Sequence, residues 1–217
     1  MDLKIEKKRL LYALFFPALF VLILWILLGI EKIEGVSWSS WGIYPRKENG
    51  LLGIFTMPFI HSGVAHLFSN SIPLLVLGWC LFYFYKDLGY GVFPLLWILS
   101  GIFTWILGRD SWHIGASGLT YSLAFFLFFS GVFRRHSPLI AVSLLVVFLY
   151  GSIVWNMFPV SEYIDPTISW EGHLSGAISG LLCALIFINK GPQKPELEDD
   201  DEEEDEGDEK NNETFER

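Results

Sequence analysis

Long stretches of this chain carry no charged side chain, at residues 10–30, 67–85, 92–107, 117–133, 138–157 and 173–189. The first, Leu10 to Ile30, has 21 residues. A helix of that length, rising about 1.5 Å per residue, covers roughly 30 Å, the thickness of a bilayer's hydrocarbon core. Residues 92–107 form a shorter run that must borrow flanking residues to cross. In lipid the backbone polar groups have to be paired within each segment, so the pattern predicts six membrane helices. Pro73, Pro94, Gly101 and Gly131 count against soluble helices but are tolerated in this setting. The expected fold class is an all-α membrane protein, a six-helix bundle with a long interfacial first outer loop.

That loop, residues 31–66, is too long for a simple turn. Its first part mixes charges with Trp38, Trp41 and Tyr44, and from Asn49 to Ile60 it is uncharged and apolar. The second part reads as lying in the interface or dipping into the membrane beside the bundle. Composition agrees: 52% hydrophobic residues and a mean hydropathy of +0.43 are too apolar for a soluble domain, whose surface must stay polar. The net charge of −9 misleads, because twelve of the fourteen residues 196–209 are acidic. Without the tail, residues 1–195 hold thirteen basic and ten acidic side chains. Two parts are therefore expected, a membrane domain over 1–195 and an acidic, disordered cytoplasmic tail over 196–217. Cys80 and Cys183 lie in apolar runs, which argues against a disulfide framework. Lys4, Lys7, Lys8 and Arg9 precede an apolar run longer than a secretory leader's, with no small-residue cleavage site, so an uncleaved anchor is expected.

The basic residues orient the bundle. With the N-terminus inside, nine of them (Lys4, Lys7, Lys8, Arg9, Lys86, Arg134, Arg135, Lys190, Lys194) fall on the inner side and four (Lys32, Arg46, Lys47, Arg109) on the outer. Both termini are then cytoplasmic, in a multi-pass protein expected in the bacterial cytoplasmic (inner) membrane. Counting spans brings His66 and Asn70 on the second, Ser117 on the fourth and His173 on the sixth to one level near the outer face. Polar residues within membrane helices are functional candidates by default.

A serine at a helix N-terminus, such as Ser117, is often only a cap. Here Gly115, Ala116 and Gly118 leave room for a peptide carbonyl, and the first helical turn aims backbone N–H groups at a developing oxyanion. Gly172, Gly176 and Gly180 recur every four residues and line one helix face, a stripe that permits close approach of a neighbouring backbone. The plain reading of that stripe is packing alone. It begins one residue from His173, however, so packing against the fourth span would bring an imidazole to Ser117. An imidazole is the usual base for a serine nucleophile. Tyr121, one turn below Ser117, could stack on the imidazole and fix its orientation. His66 and Asn70, four apart, share a helix face. They are either an interhelical polar pair or two donors for an oxyanion. His61 lies off that face and is assigned only a possible structural hydrogen bond.

These motifs, His61-x4-His66-x3-Asn70, Gly115-Ala-Ser117-Gly118-x2-Tyr121 and His173-x2-Gly176-x3-Gly180, resemble in order, spacing and span number those of the rhomboid intramembrane serine proteases. The resemblance implies a Ser117–His173 dyad without a third acid, acting through an acyl-enzyme. It also implies an oxyanion hole from the Ser117 N–H, His66 and Asn70, with Gly115, Gly118, Tyr121, Gly176 and Gly180 in support. A water-filled cavity open to the outer side and single-span membrane proteins as substrates follow from the same likeness. Many members carry adjacent Trp and Arg residues in the first loop, whereas Trp41 and Arg46 are separated here.

Other chemistries lack their residues. There is no His-Glu-x-x-His motif for zinc, and Asp87, Asp110 and Asp165 all read as loop residues, which removes a membrane aspartyl dyad. No metal, cofactor or nucleic-acid partner is expected. An inactive relative that binds transmembrane helices without cutting them would normally lack the serine or the histidine, and both are present.

Overall fold

A computed structural model of the chain describes residues 3–151, 157 and 169–193, with the backbone alone at Tyr150. Its elements in order are α1 (Leu3–Glu34), α2 (Gly53–Thr56), α3 (Val64–Tyr85), α4 (Asp87–Leu107), α5 (Ser117–Arg134), α6 (Ser137–Tyr150) and α7 (Trp170–Ile186). Four of them, α1, α3, α4 and α5, are long and apolar enough to cross a membrane, and α6 is a shorter apolar helix. No strand occurs among the described residues. An isolated antiparallel bridge joins Ile43 to His113.

The apolar stretch after Asn49 folds as single helical turns, at Glu48–Gly50, in α2 and at Met57–Phe59. It lies against α4: Trp97 Nε1 donates to the Ile54 carbonyl at 3.1 Å. α5 is the central helix. Its most extensive partner is α7, and it also packs against α6, α3 and α4, while α1 lies outside against α3. Where α1 crosses α3, Gly78 lets Pro17 approach to within contact distance of the helix backbone.

The helices extend past the uncharged runs, which corrects two expectations. Asp87 is the first residue of α4, not a loop residue. Helix α7 starts at Trp170 and so includes a charge, Glu171, in its first turn. Among the described residues three charged side chains are buried near helix ends: Glu31, Arg134 and Glu171. Burying a charge is costly unless it is paired, and each has partners. Glu31 accepts from the Trp38 N–H at 2.9 Å. Arg134 donates to the Lys190 carbonyl at 2.8 Å and to Tyr85 at 3.1 Å. Glu171 meets Arg109 at 3.4 Å. The part of the run 138–157 beyond Gly151, Met157 excepted, lies outside the described residues, as do Asp165 and the acidic tail.

Candidate active site

Ser117 is the first residue of α5, with Ala116 as its N-cap. The chain reaches it through Gly115, whose φ of +104° suits glycine and strains any other residue. A side chain at Gly115 would also collide with His66: a Cβ built there lies 2.7 Å from His66 Nε2 and Cε1. The His66 ring therefore covers the turn that leads into Ser117. His66 Nδ1 is 3.2 Å from Ser62 Oγ. One turn on, Asn70 is buried and its amide donates to the His66 carbonyl at 3.0 Å, leaving its second N–H. Ser117 itself is partly exposed.

His173 lies in the first turn of α7, which Ser169 caps by accepting from the Gly172 N–H at 3.2 Å. Its ring lies parallel to that of Tyr121, with centroids 4.3 Å apart and planes inclined by 7°. Tyr121 is four residues from Ser117, so the stacked imidazole stands one turn from the serine along α5. Two glycines of α7 set this approach. A Cβ at Gly176 would overlap the Gly118 carbonyl and come within 2.9 Å of Tyr121 Cβ, and one at Gly180 would lie 2.8 Å from Phe125 Cβ. A Cβ at Gly118 would lie 2.9 Å from Ser100 Oγ of α4 and 3.3 Å from the Gly172 carbonyl of α7, so this glycine too keeps the helices close. The structure thus brings the motifs of α3, α5 and α7 to one end of the bundle.

Two histidines hold the surrounding loops. His61, almost wholly buried, accepts from the Ala116 N–H at 3.4 Å through Nε2, and its ring meets that of His66 edge-on at 5.1 Å. The structural hydrogen bond expected of it is made to the residue before Ser117. Burial, and then the neighbouring His66, hold the His61 imidazole down to about 3, against a backbone hydrogen bond at Phe59. It is neutral and able to accept.

His113 was not singled out from the sequence. It is buried in the loop between α4 and α5, with Nε2 3.0 Å from the Arg109 carbonyl and Nδ1 2.5 Å from Ser169 Oγ. Burial lowers its pKa, so the ring is neutral. A carbonyl can only accept; Nε2 therefore carries the proton and Nδ1 accepts from the Ser169 hydroxyl. Ser169 in turn accepts from Gly172, so a continuous chain of hydrogen bonds runs from the α4–α5 loop to the helix start that carries His173. The Arg109–Glu171 ion pair ties the same loop to the same turn. Its signal in the sequence is a polar side chain between Trp112 and Ile114, four residues before Ser117.

Among the described residues no group of His, Cys, Asp and Glu is arranged to hold a metal ion. The first loop is fixed by Arg46, which donates to the Gly108 carbonyl at 2.7 Å and to Asp110 at 2.6 Å. Trp41 is mostly exposed, and its carbonyl accepts from the Thr56 hydroxyl.

The sequence profile of the rhomboid domain matches residues 48–190. An uncharacterized protein of Mycobacterium tuberculosis is 36% identical over 173 residues, covering 77% of this chain and 72% of that one. Another, of Mycobacterium leprae, is 34% identical over 173 residues, or 77% of this chain and 68% of that one. The Rhomboid-related protein 1 of Caenorhabditis elegans is 27% identical over 154 residues, 67% of this chain and 43% of its own length.

Proposed function

This chain belongs to the rhomboid family, and from that premise we propose that it is an intramembrane serine endopeptidase with Ser117 as nucleophile and His173 as base. The observation that carries the reading is the stacking of His173 on Tyr121, one turn from Ser117, across a helix contact that glycines keep close.

In the proposed reaction the Ser117 hydroxyl oxygen attacks the scissile carbonyl carbon while its proton passes to His173. The resulting oxyanion takes hydrogen bonds from the Ser117 N–H, at the start of α5, and from His66 and Asn70. Collapse breaks the C–N bond, His173 gives its proton to the leaving amine, and an acyl-enzyme remains. Water then attacks with His173 again as base, releasing the carboxyl product and restoring Ser117. Gly115, Gly118, Tyr121, Gly176 and Gly180 set the geometry and touch no reacting atom.

The substrates in this reading are single-span membrane proteins, cut where the segment enters the polar end of the bundle. Helices α6 and α7 complete six crossings with the four long helices. In this reading both termini are cytoplasmic and the site lies at the outer face of a bacterial inner membrane; the nine-to-four distribution of basic residues supports that orientation. The deciding experiment incubates purified protein with a generic single-span substrate in detergent, beside a Ser117→Ala variant. Cleavage by the first and none by the second is expected. No cleavage by either, with the substrate still bound, would favour a helix-binding protein that does not cut.

A further inference from the structure

We propose that the cleft between the start of α1 and the α3–α4 turn binds the phosphate headgroup of an anionic membrane phospholipid. The cleft lies at the end of the bundle away from Ser117 and has a volume of about 370 Å³. Lys8 and Arg9 line it from α1 and Lys86 from the turn, against a single acidic residue, Asp87. Lys8 is exposed and free to swing to a ligand. Arg9 is held in place: its guanidinium donates to the Tyr83 carbonyl at 3.0 Å, lies 4.4 Å over the Tyr83 ring and faces Glu6 at 3.9 Å. Its Nε is buried and has no partner among the described residues. A buried donor left in that state costs free energy unless something accepts from it. Lys86 adopts a φ of +50°, a conformation that favours glycine, so the turn places a basic side chain where the backbone alone would prefer none.

The remaining wall is aromatic, from Tyr12, Phe82 and Tyr90. Phe82 is buried, but Tyr12 and Tyr90 are 72% and 56% exposed, so the cleft opens sideways, where lipid surrounds the bundle. A second cavity, of about 470 Å³, shares Arg9 and Lys86 and extends to His136 and Pro192. The whole end is basic: eight Lys and Arg side chains against Glu6 and Asp87 among the described residues. Basic pockets between membrane helices suit anionic headgroups. Inorganic phosphate would need the cations alone, and so would the acidic segment 196–209 of this chain, which follows the described residues in the sequence. Only an amphiphile uses both the cations and the aromatic wall.

The test is native mass spectrometry of the full chain in detergent with equimolar phosphatidylglycerol and phosphatidylcholine of identical acyl chains. One phosphatidylglycerol should be retained in at least tenfold preference. Lys8→Gln with Lys86→Gln should reduce that preference at least fivefold, while Lys32→Gln with Lys47→Gln, at the other end, should leave it unchanged. Lys8→Gln alone, on an exposed position, carries the test if the turn variant does not fold. Equal retention of the two lipids would overturn the proposal, as would an equal loss in the Lys32/Lys47 pair. Displacement by an equimolar amount of the water-soluble headgroup, glycerol phosphate, would make the site one for a free anion. A preference that appears only after deletion of residues 196–217 would make the acidic segment the occupant.

Discussion

The two ends of the bundle handle charge in opposite ways. At the Ser117 end, four basic side chains (Lys32, Arg46, Lys47, Arg109) meet five acidic ones (Glu31, Glu34, Glu48, Asp110, Glu171) among the described residues. Most are committed to particular partners there: Arg46 to Asp110, Arg109 to Glu171, and Glu31 and Glu34 to Trp38. At the other end eight cations face two carboxylates among the described residues, and pairing among these cannot absorb the excess. Surface ion pairs contribute little stability, so the difference is best understood by what each end must hold. The first end fixes loops around a few polar side chains; the second presents a field to the membrane surface. Substitutions at the first should change a reaction rate, and those at the second should change what associates with the protein.

The largest effect falls on the proposed dyad. Ser117→Ala and His173→Ala should each abolish turnover, and the double variant should be no worse, because the two residues perform one step. Asn70→Ala should behave differently, since the Ser117 N–H and His66 remain as donors; it should cost ~3 kcal/mol, about a hundredfold in rate. Labelling by a fluorophosphonate reads the contrast directly: slow for the Asn70 variant, absent for the Ser117 variant. Undiminished labelling of Ser117→Ala would remove the nucleophile from this end altogether.

Next comes a variant that leaves every proposed reacting group in place. A branched side chain in Gly176→Val has no room beside the Gly118 carbonyl and Tyr121 Cβ, so α7 must move off α5 and carry His173 with it. A displacement of about 1 Å can lower a rate on the order of a hundredfold. Helical circular dichroism and the elution profile should stay close to those of the parent. Full activity in a folded variant would show that the glycine stripe does not set the approach of His173.

A smaller effect is expected at His113. His113→Ala breaks the hydrogen-bond chain to Ser169 and weakens the cap of α7, a loss of about 1 kcal/mol, and turnover should fall several-fold. The loss should appear in kcat and leave KM nearly unchanged, since His113 faces the helix start and not the space beside Ser117. A change confined to KM would place His113 at the substrate instead.

His61 gives the pH test. Its folded pKa, about 3, is below the unfolded value near 6.5, so the unfolded chain takes up a proton first as pH falls. The stability this contributes is complete above about pH 6.5 and is lost progressively toward pH 3. Glutamine can still accept from the Ala116 N–H but does not titrate. Between pH 8 and pH 5 the melting temperature of the parent should therefore fall by roughly a few degrees more than that of His61→Gln. Parallel curves would mean that His61 is not held neutral by the fold.

Much of this was legible in the sequence because membranes simplify the pattern. Uncharged runs marked the helices, and the spacing of Gly172, Gly176 and Gly180 announced the face by which α7 meets α5. His66, Asn70, Ser117 and His173 stood out because a polar side chain in such a run is conspicuous. The helix ends were less legible. Charge marks the boundary of each uncharged run, yet Asp87 opens α4 and Glu171 lies in the first turn of α7, where the helix dipole favours a carboxylate and Arg109 pairs with it. His113 escaped notice for a related reason. It lies in a loop, outside any periodic pattern, and its partner Ser169 is 56 residues away in the chain. Contacts between loops are set by how the helices pack, and local composition does not encode them.

The smallest effect should come from the acidic segment, and it is the sharpest check on the separation of the two ends. Pro192, which precedes the acidic segment in the chain, lines a cavity with Arg9 and Lys86 at the end of the bundle away from Ser117. Interactions between exposed charges are largely screened beyond about 8 Å at physiological ionic strength, so the twelve carboxylates of the segment 196–209 are expected to exert almost no field on the Ser117 hydroxyl. Deleting residues 196–217 should therefore leave the cleavage rate in detergent within about twofold of the parent. Proteolysis of one single-span substrate by both chains, at matched concentration and at two salt concentrations, measures this. A loss of most activity on deletion would mean that the two ends are coupled through the bundle, and that the division between a geometric end and an electrostatic end is wrong.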